Sequence, residues 1–131
     1  MDPPEVSASV TLYSNEQLKL GDAFIGRAVK YPQFGGKQYW ACLTQSKPER
    51  TFDIGSYLAR LVNSIEDVAP RILPLLELDG VELRFELRIQ AVVGEGYGGI
   101  PIVEAGYLTI PRTVIEAVAR LGAEIEIVFE S

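Results

Sequence analysis

Residues Val81 to Val93 read Val-Glu-Leu-Arg-Phe-Glu-Leu-Arg-Ile-Gln-Ala-Val-Val, and this stretch decides the fold. Val81, Leu83, Phe85, Leu87 and Ile89 alternate with charged or amide side chains as far as Gln90, and Ala91 and Val93 keep the register. A strand turns successive side chains to opposite faces, so one face of this segment lines a core while the other meets water or a partner. The reading is the central strand of a one-faced, mainly antiparallel sheet. It names no reaction.

Working back from that strand, Val6 to Tyr13 sets Val6, Ala8, Val10 and Leu12 against Ser7, Ser9, Thr11 and Tyr13, a second half-buried strand. Ser14 to Gly26, interrupted at Gly21-Asp22, reads as loop with at most one helical turn. Tyr31-Pro-Gln-Phe-Gly-Gly-Lys-Gln-Tyr39 combines a proline, paired glycines and three aromatic rings, a composition that turns the chain while exposing the rings. Trp40 to Gln45 is a short strand with Trp40, Cys42 and Thr44 on one face, and Lys47-Pro-Glu-Arg50 is a turn. Thr51 or Asp53 can accept the free N–H groups that open a helix, whose Ile54, Tyr57, Leu58, Leu61, Val62 and Ile65 form one apolar stripe. A second helical segment restarts at Ser64 with Val68, Ile72, Leu75 and Leu76 inward. Pro70 suits a first turn, Pro74 removes a backbone bond, and Asp79-Gly80 ends the segment.

Working forward, Gly94 to Gly99 and the apolar run Ile100 to Ile110, broken by Pro101 and Gly106, read as a hairpin or as a longer excursion back to the sheet. Thr109-Ile-Pro-Arg112 opens a last helix with Val114, Ile115, Ala117, Val118 and Leu121 as its buried stripe, and Gly122 stops it. Ala123 to Glu130 is the final strand, with Ile125, Ile127 and Phe129 inward. If it lies beside the central strand, its outward Glu124, Glu126 and Glu130 face Arg84 and Arg88. The chain is therefore expected to be one α+β domain over residues 1–131, with two or three helices on one face of the sheet and a loose tail over residues 1–5.

Composition bounds the function. At 131 residues, 47% of them hydrophobic and 23% charged, the chain can bury a core without staples, and disorder and coiled coil are excluded. No apolar run approaches the ~18 residues of a spanning helix, and Met1-Asp-Pro-Pro-Glu-Val6 lacks the basic and apolar parts of a secretion signal. Cys42, the only cysteine, cannot form an internal disulfide. The expected location is cytoplasmic. A net charge of −6 opposes nucleic acid and anionic membranes as partners. From Gln17 to Arg50, however, six positive side chains stand against two negative ones, a net +4, which leaves −10 for the remainder. That asymmetry marks either a face for an acidic partner or plain solvated surface.

In this order the chain resembles a small bacterial family known as domain of unknown function 4279. The resemblance lies in Val10-Thr-Leu-Tyr13, in Tyr39-Trp40 entering a strand, in Phe52-Asp-Ile-Gly-Ser-Tyr-Leu-Ala-Arg-Leu-Val62 and in the closing run from Gly106 to Phe129. It implies helices on one face of a mainly antiparallel sheet and no established activity.

The chain has no histidine, which removes the commonest general base and every serine–histidine or cysteine–histidine mechanism. Cys42 reads as a structural thiol pointing into the core. Gly94, Gly96 and Gly99 have dinucleotide-loop spacing, but an apolar extended segment follows where a helix would have to hold the pyrophosphate, so a hairpin tip is preferred and no cofactor is expected. Glu82 and Glu86 alternate with Arg84 and Arg88 as a salt-linked face, and no acidic loop has metal-binding spacing. The candidate interaction surface is the aromatic and basic stretch Arg27, Lys30, Tyr31, Phe34, Lys37, Tyr39 and Trp40, set against a reading in which Phe34 and Trp40 are core. The expected function is a non-enzymatic protein-interaction module, immunity-type or regulatory, binding an acidic protein. The alternative is a small-ligand domain with a pocket between helices and sheet near Trp40 and the Gly94 to Gly99 loop. An enzyme using carboxylates or tyrosine alone ranks last. A homodimer through an exposed edge strand is compatible with either leading reading.

Overall fold

The computed structural model describes residues 3–16, 29–34, 37–90, 92–95, 101–104 and 108–130, with side chains described within 3–16, 39–90 and 108–130. Strand β1 (Glu5–Ser14) is followed by β2 (Val29–Phe34), β3 (Lys37–Arg50), helices α1 (Ile54–Glu66) and α2 (Ala69–Leu76), then β4 (Glu82–Gln90), β5 (Val92–Glu95), β6 (Pro101–Glu104), α3 (Arg112–Arg120) and β7 (Glu124–Glu130). Five strands form one sheet in the order β2-β3-β1-β4-β7, and β5 and β6 pair separately as a hairpin. β1 is antiparallel to β3 and to β4, whereas β4 and β7 run parallel. The fold is α+β with a mainly antiparallel sheet, as the alternation predicts. The middle strand is β1, with β4 beside it. The expected strand through Val93 ends at Gln90, because Val92 and Val93 leave the sheet to join β5.

One face of the sheet is the core face. Val6, Ala8, Val10 and Leu12 of β1 and Leu83, Phe85, Leu87 and Ile89 of β4 are buried there with Ile54, Tyr57, Leu58, Leu61, Val62 and Ile65 of α1. Every position of the predicted α1 stripe is buried. Asp53 caps that helix by accepting from the Ser56 amide at 3.2 Å. The second helix begins at Ala69, later than Ser64, because α1 continues to Glu66. It runs two residues past Pro74 and buries Ile72. In α3, Val114, Ala117, Val118 and Leu121 pack inward, but Ile115 is 53% exposed. A nine-residue helix on one side of the core buries only a narrow stripe, and Ile115 falls outside it. Phe129 is 59% exposed against the inward expectation, since β7 is an edge strand with a neighbour on one side only.

Two irregularities in β3 reset its faces. Val10 pairs with Thr44 but Thr11 with Cys42, and Val6 pairs with Glu49 but Ala8 with Ser46, so β3 carries an extra residue at each shift. The second lies around Pro48, which has no N–H for a ladder, and the Tyr57 hydroxyl donates to the Lys47 carbonyl at 2.8 Å. Lys47 to Arg50 is therefore bulged strand, where a turn is expected from Pro48. Likewise Val29 to Phe34 is a strand paired with β3, although the proline at position 32 suggests a turn; an edge strand tolerates it. Residues 3–5 are no loose tail: Pro4 is buried and its carbonyl accepts from Thr51 N at 3.1 Å. Among the described residues, no helix is long and apolar enough to cross a membrane.

Candidate functional site

The face opposite the helices is where the sheet offers chemistry. On β1 it presents Ser7, Ser9, Thr11 and Tyr13, the alternates of the core residues. On β3 it presents Trp40 and Cys42, paired with Tyr13 and Thr11. After the first bulge comes Gln45, directly opposite Ser9. Thr44 lies opposite the core residue Val10 and so leaves the face that Trp40 and Cys42 share, contrary to the period-two expectation. On β4 the face carries Glu82, Arg84, Glu86 and Arg88, and on β7 Glu124, Glu126, Val128 and Glu130.

Small hydroxyl side chains on the middle strand between long ones on its neighbours make a groove. Two concavities lie along it. One, of about 310 Å³, is lined by Ser9, Thr11, Tyr13, Trp40, Cys42, Gln45 and Glu86. The other, of about 180 Å³, involves Ser7, Arg88, Glu126 and Val128 and shares Ser9, Gln45 and Glu86 with the first. From Ser7 to Tyr13 the groove spans about 20 Å at the rise of a strand.

Its electrostatics are one-sided. The Arg84 guanidinium lies 3.1 Å from Glu126, 3.7 Å from Glu124 and 3.8 Å from Glu82, with its carbon 4.8 Å from the centre of the Tyr13 ring. Arg88 pairs with Glu130 at 3.3 Å. The expected contact between the last strand's carboxylates and Arg84 and Arg88 is thus present. Glu86 instead accepts the Tyr13 hydroxyl and has no cation within ion-pair distance among the described residues. On β4 and β7 together, Glu82, Glu86, Glu124, Glu126 and Glu130 stand against only Arg84 and Arg88. Burial, reinforced by the hydrogen bond to Glu86, pushes the Tyr13 phenol far above its ordinary range. Burial and the charge of Glu86 raise the Cys42 thiol as well. Both groups are held protonated, which suits hydrogen bonding and opposes nucleophilic attack.

Cys42 is therefore half-buried on the groove side, where a core thiol is expected, and its Sγ donates to the Thr44 carbonyl at 3.5 Å. Hydrophobicity favours the core for Cys42, yet Ala41 and Leu43 are the residues that enter it. The candidate surface from Arg27 to Trp40 maps onto the β2–β3 hairpin. Lys30, Tyr31 and Phe34 lie on β2, Lys37 opens β3, and Arg27 lies outside the described residues, as does most of the Gly94 to Gly99 loop. Tyr39 and Trp40 do not share a face, because Trp40 opposes Tyr13 while Tyr39 opposes Ser14. Among the described residues, the space between α1 and the sheet is filled by the core, and the groove near Trp40 is on the other side of the sheet. Ser7, Ser9, Thr11, Gln45 and Glu86 escape the sequence reading because alternating serines look like solvated surface until register sets their neighbours.

Among the described residues, no group of three or more cysteine, aspartate or glutamate side chains is placed to hold a metal ion. Comparison of the chain with protein-family models, with curated proteins and with solved structures finds no match.

Proposed function

We propose that the protein is a non-enzymatic protein-interaction module, immunity-type or regulatory, that takes an extended partner segment along the sheet face opposite the helices. The observation that carries this reading is the groove itself: the short side chains of Ser7, Ser9 and Thr11 form its floor between walls from Trp40, Cys42 and Gln45 on one side and Glu86 and Arg88 on the other. A linear channel of hydrogen-bonding groups with an aromatic end matches an extended chain better than a compact one. The absence of histidine and the raised phenol and thiol support binding over catalysis. An acidic partner would use the β2–β3 hairpin, whereas the groove, with its surplus of carboxylates, suits a basic one. Kinship with the bacterial family known as domain of unknown function 4279 and a cytoplasmic location belong to the same proposal, supported by the order of elements and the lone thiol.

The test is selection of random eight-residue peptides on the wild-type chain and on Ser9→Trp, which fills the groove floor without touching the core. Enriched sequences that bind the wild type and are lost with Ser9→Trp support the reading. No enrichment, or binding indifferent to Ser9→Trp, refutes it. A second reading, a small-molecule site, is favoured by the cavity of about 310 Å³ beside Trp40. A metabolite that raises the melting temperature of the wild type but not of Ser9→Trp would establish it.

A further inference from the structure

The two concavities meet at three residues, Ser9, Gln45 and Glu86, and these stand in one row across the sheet. Gln45 opposes Ser9, Ser9 opposes Glu86, and Glu86 opposes Glu126. The middle side chain of the first three is short and its neighbours are long, so the row forms a seat about one functional group wide between strands roughly 5 Å apart. Each of the three offers an oxygen: the serine hydroxyl, the glutamine amide carbonyl and the carboxylate oxygen not engaged by Tyr13. Three acceptors lining the place where the concavities meet complement a group with three N–H donors and no acceptor, a primary ammonium.

The surrounding charges point the same way. Both groove arginines are already engaged, Arg84 by Glu82, Glu124 and Glu126 and Arg88 by Glu130. Glu86, opposite Glu126, has no cation within ion-pair distance among the described residues. A second observation is independent of these carboxylates. Thr11, two residues along β1, is only 5% exposed and lines the larger concavity, so the groove narrows there around a short polar side chain. Opposite it, Cys42 and Trp40 supply apolar wall for a carbon chain.

We infer that the row Gln45, Ser9 and Glu86 seats the ammonium group of a lysine side chain presented by the partner segment, with its carbon chain against Cys42 and Trp40. This rests on the groove face being the binding face, and the experiment separates the two. Trp40 is the only tryptophan of the chain, so its fluorescence reports on the groove directly. The full chain is titrated with n-pentylamine, pentan-1-ol, pentanoate and N-acetyl-lysine methylamide, in the wild type and in Glu86→Gln and Gln45→Leu. Glu86→Gln retains an acceptor for Tyr13, and Gln45→Leu leaves the carboxylate in place, so one of them keeps the test informative if the other fails to fold. The expected result is a saturable change with the amine and the lysine derivative, and binding weaker by about tenfold for pentan-1-ol and for either variant. Equal response to pentan-1-ol or pentanoate, unchanged binding in the folded variants, or no response to any probe overturns the ammonium seat. In each of those cases the peptide selection with Ser9→Trp decides separately whether the face binds. A response to n-pentylamine without one to the lysine derivative overturns the lysine assignment and makes the ligand a free alkylamine.

Discussion

Gly55 and Gly122 are both glycines at helix ends, and for opposite reasons. A Cβ at Gly55 would sit 2.9 Å from the Thr109 carbonyl oxygen and 3.2 Å from the Pro111 ring, so α1 approaches the segment leading into α3 too closely for a side chain. Gly55→Ala is expected to destabilise by about 1–3 kcal/mol in urea unfolding, despite the better helix propensity of alanine. Gly122 has open space around its Cβ position but a φ of +61°, so Gly122→Ala costs about 1 kcal/mol through the backbone alone, and Gly122→Asn less. Asp53 acts through charge. Its carboxylate accepts from the Ser56 hydroxyl at 2.7 Å and from the Ser56 amide, and these bonds hold it below the usual carboxylate range. A depressed folded-state value contributes stability above the unfolded value, near pH 4, which is lost as the pH falls through the folded one. Asp53→Ala should therefore be less stable than wild type at neutral pH and should converge with it in urea titrations as the pH falls below the unfolded carboxylate value of about 4.

Among the elements, β3 governs the site. Its first bulge sends both Leu43 and Thr44 out of the simple alternation and returns Gln45 to the groove opposite Ser9. Its second is fastened by Tyr57, whose hydroxyl reaches the Lys47 carbonyl across the core face. Tyr57→Phe keeps the packing of the ring and removes that donor, so a loss of about 1–2 kcal/mol is expected in urea unfolding, with Trp40 emission reporting any shift of β3. These bulges mark the boundary of what the chain discloses. β1, α1 and β4 are legible because their apolar periods are unbroken, and every position of the α1 stripe is right although the helix runs past Ser64 to Glu66. In β3 the period changes twice within fourteen residues, and no local rule marks the places apart from Pro48. The groove was hidden for a related reason. Ser7, Ser9 and Thr11 are recognisable as one face of a strand, but only register reveals that Gln45 and Glu86 stand on either side of Ser9.

At the scale of the whole molecule, β1 is the strand with two long antiparallel neighbours, and it lies at the centre of the sheet. Hydrogen exchange should be slowest at the amides of Val6 to Leu12 and fastest, among the strands of this sheet, in the edge strands β2 and β7. Comparable protection at an edge in the isolated chain would point to a strand from a second copy paired there. The same topology has a consequence for synthesis. β1 emerges from the ribosome ahead of both its neighbours, pairs first with β3, and must then hold an open edge while about forty further residues are added before β4 can close it. At ordinary translation rates of about 5–20 residues per second, that interval is roughly two to eight seconds. For that time the nascent chain displays an unpaired alternating strand, the same pattern that makes β1 the centre of the finished sheet. Folding in the cell is thus a matter of keeping one edge unoccupied until its own partner arrives.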